Sequence, residues 1–168
     1  MPLVRIDLLE GKSEQYRAQV GDILYQTLVD VLNVPEHDRF QVITEHTKAS
    51  LPFDREYLGI HRSDDCIFFQ ITLNSGRSTE LKQRFYKALA DHLHEGVKIR
   101  KEDVFINFVE VPKENWSFGN SEAQYVTPPN RSKMTPVAGS GGERARFLRQ
   151  LVGVSLIAGI LEASQCKC

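Results

Sequence analysis

A single α/β fold built from a duplicated βαβ unit, with four strands in one sheet and two helices on one of its faces, is what this sequence predicts. Three observations lead there. Sliding the chain against itself by 65 residues aligns Ile6 with Ile71, Leu8 with Leu73, Gly11 with Gly76 and Ser13 with Ser78, and the match continues without a gap through Leu24/Leu89, Leu28/Leu93, Asp38/Asp103, Phe40/Phe105 and Glu45/Glu110. Each half reads as strand, helix, strand in the same register. A right-handed crossover then makes the two strands of each half parallel.

Val4, Ile6 and Leu8 alternate as a half-buried strand requires, and Phe69, Ile71 and Leu73 repeat the pattern. Ser13 and Ser78 are placed to cap the helices that follow, with Glu14 and Glu80 in first turns where the helix dipole favours acids. The helices carry matching apolar stripes at i, i+4 spacing: Tyr16, Val20, Leu24 and Leu28, then Leu81, Phe85, Leu89 and Leu93. The second strands follow as "RFQVITEH" and "VFINFVEV". With both helices on one face, the other face, assigned Leu3, Leu9, Phe68, Ile106 and Phe108 with Arg5 and Gln70 among them, needs a cover, and an oligomer is expected to supply it.

The chain has 168 residues, 41% of them hydrophobic, enough for one core with an extension. Residues 2–126 are expected to form the domain, with repeats at about 2–47 and 67–112. Residues 127–146, rich in Pro, Gly and Ser, read as a linker. Residues 147–168 read as an apolar C-terminal helix or tail, whose run from Leu151 to Leu161 is shorter than the ~20 residues a membrane span needs. Lys and Arg total 21 against 22 Asp and Glu, which speaks against a nucleic-acid partner. Arg5, Asp7 and Glu10 interrupt the apolar residues too early for an export signal. Cys66, Cys166 and Cys168 give neither a disulfide framework nor a metal spacing, so a reducing cytoplasm is the expected compartment. His92 and His94, two apart on a helix, do not share a face as metal ligands would, and "AGSGG" lacks the order of a nucleophile elbow and the lysine of a phosphate loop. Neither a metal nor an organic cofactor is expected.

If the first and third strands lie side by side and antiparallel, four features fall at one sheet edge: Pro2 at the start of strand one, Asp38 before strand two, Arg77 after strand three, and Trp116 with Phe118 after strand four. A free prolyl nitrogen is a secondary amine on a rigid ring, able to act as base, acid or nucleophile. An ordinary α-amino group titrates near ~8; Arg77 beside it would lower that value and Asp38 would raise it. Arg77 precedes a capped helix N-terminus, where a guanidinium and backbone N–H groups jointly suit a substrate carboxylate. Trp116 and Phe118 would wall off water.

The stretches "PLVRIDLLEGKS", "VPEHDRFQ", "GRSTELKQRFYKAL" and "NWSFG", spread over residues 2 to 126, resemble the tautomerase superfamily, and within it the malonate semialdehyde decarboxylase-like branch. The resemblance implies a trimer that uses its N-terminal proline for catalysis. It makes Pro2 the catalytic amine, Asp38 a partner carboxylate that orients it or activates water, Arg77 the clamp for a small carboxylate substrate, and Trp116 and Phe118 the apolar wall. One departure stands out: the decarboxylases have a second arginine two positions before the clamp, where this chain has Ser75. With one cation fewer, keto–enol tautomerisation of small or aryl 2-oxo acids is the expected activity. Malonate semialdehyde decarboxylase or hydratase activity is the near alternative, and a non-catalytic binding or oligomerisation module the third.

Overall fold

The computed structural model describes residues 1–126; the expected linker and tail, 127–146 and 147–168, lie outside the described residues. The chain runs β1 (Pro2–Leu9), α1 (Glu14–Leu32), β2 (Gln41–His46), β3 (Ile67–Asn74), α2 (Thr79–Val97) and β4 (Val104–Val111). The strands form one sheet in the order β2-β1-β3-β4. The outer pairs are parallel and the central pair antiparallel, with Pro2 opposite Leu73 and Val4 opposite Ile71.

The duplication extends to individual interactions. Ser13 accepts a hydrogen bond from the Tyr16 N–H at 3.1 Å and Ser78 from that of Leu81 at 3.3 Å, each satisfying an otherwise orphaned donor of a helix's first turn. Both helices end in a left-handed residue, Asn33 (φ 53°) and Lys98 (φ 61°). Gly11 and Gly76 turn each first strand toward its helix at φ 108° and 116°, a conformation that a Cβ would strain. An ion pair joins each helix to the second strand of its own unit: Arg17 to Glu45 at 2.8 Å and Lys82 to Glu110 at 2.7 Å. Across the pseudo-two-fold, Thr27 and His92, equivalent positions of the two units, meet each other at 2.9 Å.

Between sheet and helices lies one core. Val4, Ile6, Phe69 and Ile71 from the central strands pack with Val20, Leu24, Leu28, Phe85, Leu89 and Leu93, all essentially inaccessible to solvent. Each such side chain stabilises the fold by about 1.5–3 kcal/mol relative to exposure.

The open face differs from expectation at three positions. Ile106 and Phe108 face the helices, because the parallel register sets them opposite Phe69 and Ile71, and residues paired across a ladder share a face. Phe108 stacks at a tilt on Phe85 and Tyr86. Leu9 is buried, sharing a shallow depression with Leu51, Pro52 and Phe53 of the β2–β3 connection. The open face instead presents Leu3 (40% exposed), Val42 (44%) and Phe105 (41%), with Phe68 packed between Phe53 and Phe105. Its polar members meet one another, as His46 and Arg5 lie 2.7 and 3.7 Å from the Asp7 carboxylate.

Candidate active site

Antiparallel pairing of β1 and β3 puts the start of one beside the end of the other, and parallel pairing of β1 and β2 puts their starts together. The chain's first residues therefore meet the segment leading into β2. The Val4 N–H donates to Phe40 O at 2.9 Å, fastening β1 to that segment two residues beyond Asp38. Pro2 is buried at the head of β1, and the Met1 amine lies 3.3 Å from Asp38 Oδ2, with the Asp38 side chain only 15% exposed. An ammonium and a carboxylate so placed attract more strongly than they would in bulk water.

Arg77 follows β3 at the same end of the sheet. Gly76 turns the chain, Ser75 N–H donates to Val111 O at 3.0 Å, and the Arg77 guanidinium donates to Asn74 O at 2.8 Å. Glu110 pairs with Lys82 at 2.7 Å, and that pairing, helped weakly by the nearby backbone N–H groups of Arg77 and Gly76, holds its carboxyl below the ordinary range, so β4, α2 and the turn meet at this carboxylate. Burial depresses the Arg77 pKa, opposed by the negative charge of Glu110 and, more weakly, by Tyr125. A half-buried guanidinium in this state favours an anionic partner, and no acidic side chain pairs with it directly among the described residues.

After β4 and a short turn at Lys113–Asn115, Trp116 and Phe118 stack with ring centroids 5.6 Å apart, and Tyr125 meets Phe118 edge-on at 5.1 Å. Gln124 closes this segment on itself, accepting from Phe118 N–H at 2.9 Å and donating to Gly119 O at 2.6 Å. Burial raises the Tyr125 phenol above its ordinary value and the Asp38 carboxylate adds to that, while the Asn74 amide and Arg77 pull the other way. Tyr125 therefore sits within electrostatic reach of Asp38, Asn74 and Arg77 together. Asn74 Oδ1 and Trp116 Nε1 are both buried without a hydrogen-bond partner among the described residues. Tyr125 and Asn74 belong to no motif and were missed from sequence; Asn74 merely ends a strand, and Tyr125 lies in irregular chain.

Three of the five histidines are occupied elsewhere. His46 pairs with Asp7, His94 bonds the Ile99 carbonyl, and His92 meets Thr27. Among the described residues no cluster of three or more His, Cys, Asp or Glu is placed to hold a metal.

Residues 2–59 and residues 38–119 match two family models, each described as a tautomerase enzyme. Over 126 residues the chain is 39% identical to Probable tautomerase YusQ of Bacillus subtilis (strain 168), which is 75% of this chain and 99% of that protein. The crystal structure of FG41 malonate semialdehyde decarboxylase inhibited by 3-bromopropiolate is similar at a TM-score of 0.69 and 35% identity, over 74% of this chain and 94% of that one. A second malonate semialdehyde decarboxylase, described with decarboxylase and hydratase activities, is similar at a TM-score of 0.69 and 29% identity, over 74% and 95% of the two chains. The chain belongs to the tautomerase superfamily. Within it, the chain falls in the malonate semialdehyde decarboxylase-like branch.

Proposed function

We propose that this protein is a keto–enol tautomerase of small or aryl 2-oxo acids whose proton shuttle is the amine of Pro2, exposed by removal of Met1. The observation that carries the reading is the 3.3 Å approach of the chain's terminal amine to Asp38 at the sheet edge that also holds Arg77. While Met1 is attached, the Pro2 nitrogen is an amide and has no basic lone pair. Once Met1 leaves, the same strand start ends in a secondary amine held by ladder hydrogen bonds. Arg77 receives the substrate carboxylate, and Trp116 and Phe118 form the wall that keeps water from the enol. The neutral amine takes the enol hydroxyl proton and returns a proton to C3, so the enol becomes the ketone with no net change at the enzyme. Asp38 holds the amine in place and stabilises its cationic form. Tyr125, a phenol that burial and the Asp38 carboxylate push further from ionisation, adds a neutral hydroxyl donor near the anchored carboxylate.

Enolised phenylpyruvate mixed with the Met1-free protein is expected to ketonise faster than in buffer, and Pro2→Ala to lose most of that gain. An equal rate in the variant would remove Pro2 from the mechanism. A second reading, decarboxylation or hydration of a 3-oxo acid, is favoured by the 35% identity to a malonate semialdehyde decarboxylase. Carbon dioxide release from malonate semialdehyde separates the two, with Ser75 in place of a second cation predicting little of it.

We also propose that three copies of the chain cover the open sheet face, because Leu3, Val42 and Phe105 leave an apolar surface there that a single copy exposes. A reducing cytoplasm fits the buried Cys66, a free thiol among the described residues. No helix among the described residues is long and apolar enough to cross a membrane.

A further inference from the structure

Asp38 lies in no helix or strand, yet its carboxylate must be held to a fraction of an ångström if it is to govern the amine at Pro2. One side chain of α1 reaches both of its neighbours. The Tyr25 hydroxyl accepts a hydrogen bond from the His37 backbone N–H at 2.9 Å, and the Arg39 guanidinium lies over the Tyr25 ring 5.5 Å from its centroid. His37 sits at φ 68°, a left-handed conformation that disfavours a residue with a Cβ and persists only where its surroundings impose it. Arg39 is fixed from its other side by Asp22 at 2.6 Å and Gln41 at 3.1 Å. The residues before and after Asp38 are thus both gripped by Tyr25.

The duplication supplies an internal control. Under the 65-residue shift, Tyr25 corresponds to Ala90, His37 to Glu102 and Asp38 to Asp103. The second unit builds the same helix-to-strand connection with no tyrosine, and Glu102 lies in a short helical turn, Lys101–Asp103, without a positive φ. There Asp103 is fully buried and accepts hydrogen bonds from Ser63 N–H and Oγ, a structural role. The βαβ fold therefore does not require the tyrosine or the strained residue, and both occur only in the unit whose aspartate faces the chain's terminal amine.

We propose that Tyr25 is the positioning residue of this site, acting through the His37 N–H and the Arg39 guanidinium to hold the Asp38 carboxylate against the Pro2 amine. The proposal rests on the tautomerase reading for its kinetic consequence but not for its structural one. Tyr25→Phe removes the hydroxyl while keeping the ring beneath Arg39 and the helix packing, so the fold is retained.

The test combines three measurements on Met1-free protein. Amide hydrogen exchange at His37 is expected to quicken by about tenfold in Tyr25→Phe, the equivalent of one lost hydrogen bond, while the amides of Ile6 and Ile71 keep their protection. In ketonisation of enol phenylpyruvate, kcat should fall about tenfold with KM within about twofold, because the Arg77 anchor is untouched. Introduced into Asp38→Asn, the same change should cost nothing further, since the group it positions is gone. An unchanged His37 exchange rate, an unchanged kcat, or an equal loss in both backgrounds overturns the proposal. If the parent protein ketonises nothing, the tautomerase reading falls by itself and the His37 exchange result alone decides whether Tyr25 holds the Asp38 segment.

Discussion

Tyr125→Phe is the substitution that isolates one polar group in the candidate site. The ring remains, so its edge-on contact with Phe118 at 5.1 Å and the loop closed by Gln124 are preserved, and only the hydroxyl is lost. Burial and the Asp38 carboxylate raise the phenol's pKa, so at neutral pH the group removed is a neutral O–H donor and no charge is lost with it. A hydrogen bond from such a donor to a charged carboxylate contributes about 1.5–3 kcal/mol, which translates to a drop of roughly 10- to 150-fold in kcat/KM. Ketonisation of enol phenylpyruvate, followed by loss of enol absorbance over a range of substrate concentrations, measures it. Thermal unfolding of the variant should stay within a few degrees of the parent, because no apolar contact is deleted. A kcat/KM within about twofold of the parent would show that the hydroxyl takes no part, and that proximity to Asp38 and Arg77 is incidental.

Three further outcomes follow from the same structure. Cys66 is fully buried, and burial pushes its thiol from 9.0 up to about 11. The unfolded thiol therefore ionises first, so stability should fall between pH 9 and 11, by about 1.4 kcal/mol per unit and up to ~3 kcal/mol in all, and urea unfolding of Cys66→Ala should show a flatter alkaline limb. Phe105→Asp places a charge on the open sheet face, and sedimentation should show the proposed trimer reduced to single copies with the circular dichroism of the fold retained. Leu89→Ala hollows the core where α2 meets the sheet, at a cost of about 2–5 kcal/mol read from the denaturant midpoint.

The fold was legible because the duplication is gapless: a 65-residue shift set the element order, while the adjacency of strands one and three was only a supposition until the antiparallel β1/β3 pairing showed it. What sequence could not decide was the facing of β4. Its run "VFINFVEV" has apolar residues on both sides, so Ile106 and Phe108 were assigned to the open face until the register set them opposite Phe69 and Ile71. Pro2, Asp38, Arg77, Trp116 and Phe118 were nameable because strand pairing brings the ends of four elements to one edge. Tyr25, Asn74 and Tyr125 were not, for different reasons. Tyr25 is a single aromatic on a helix whose stripe is read through other positions, and its partner is a backbone N–H that carries no sequence signature. Tyr125 reaches Asp38 only through the path of an irregular segment, which no periodicity encodes.

The central claim is that a secondary amine at Pro2 moves the proton. It is tested most directly by the pH–rate profile for ketonisation of enol phenylpyruvate, measured on protein whose intact mass shows Met1 removed, side by side with Pro2→Ala. With Pro2 as the shuttle, the parent's rate follows the ionisation of one amine, and the variant loses both the bulk of the rate and that ionisation. A Pro2→Ala protein that ketonises as fast as the parent, with the same profile, would contradict it.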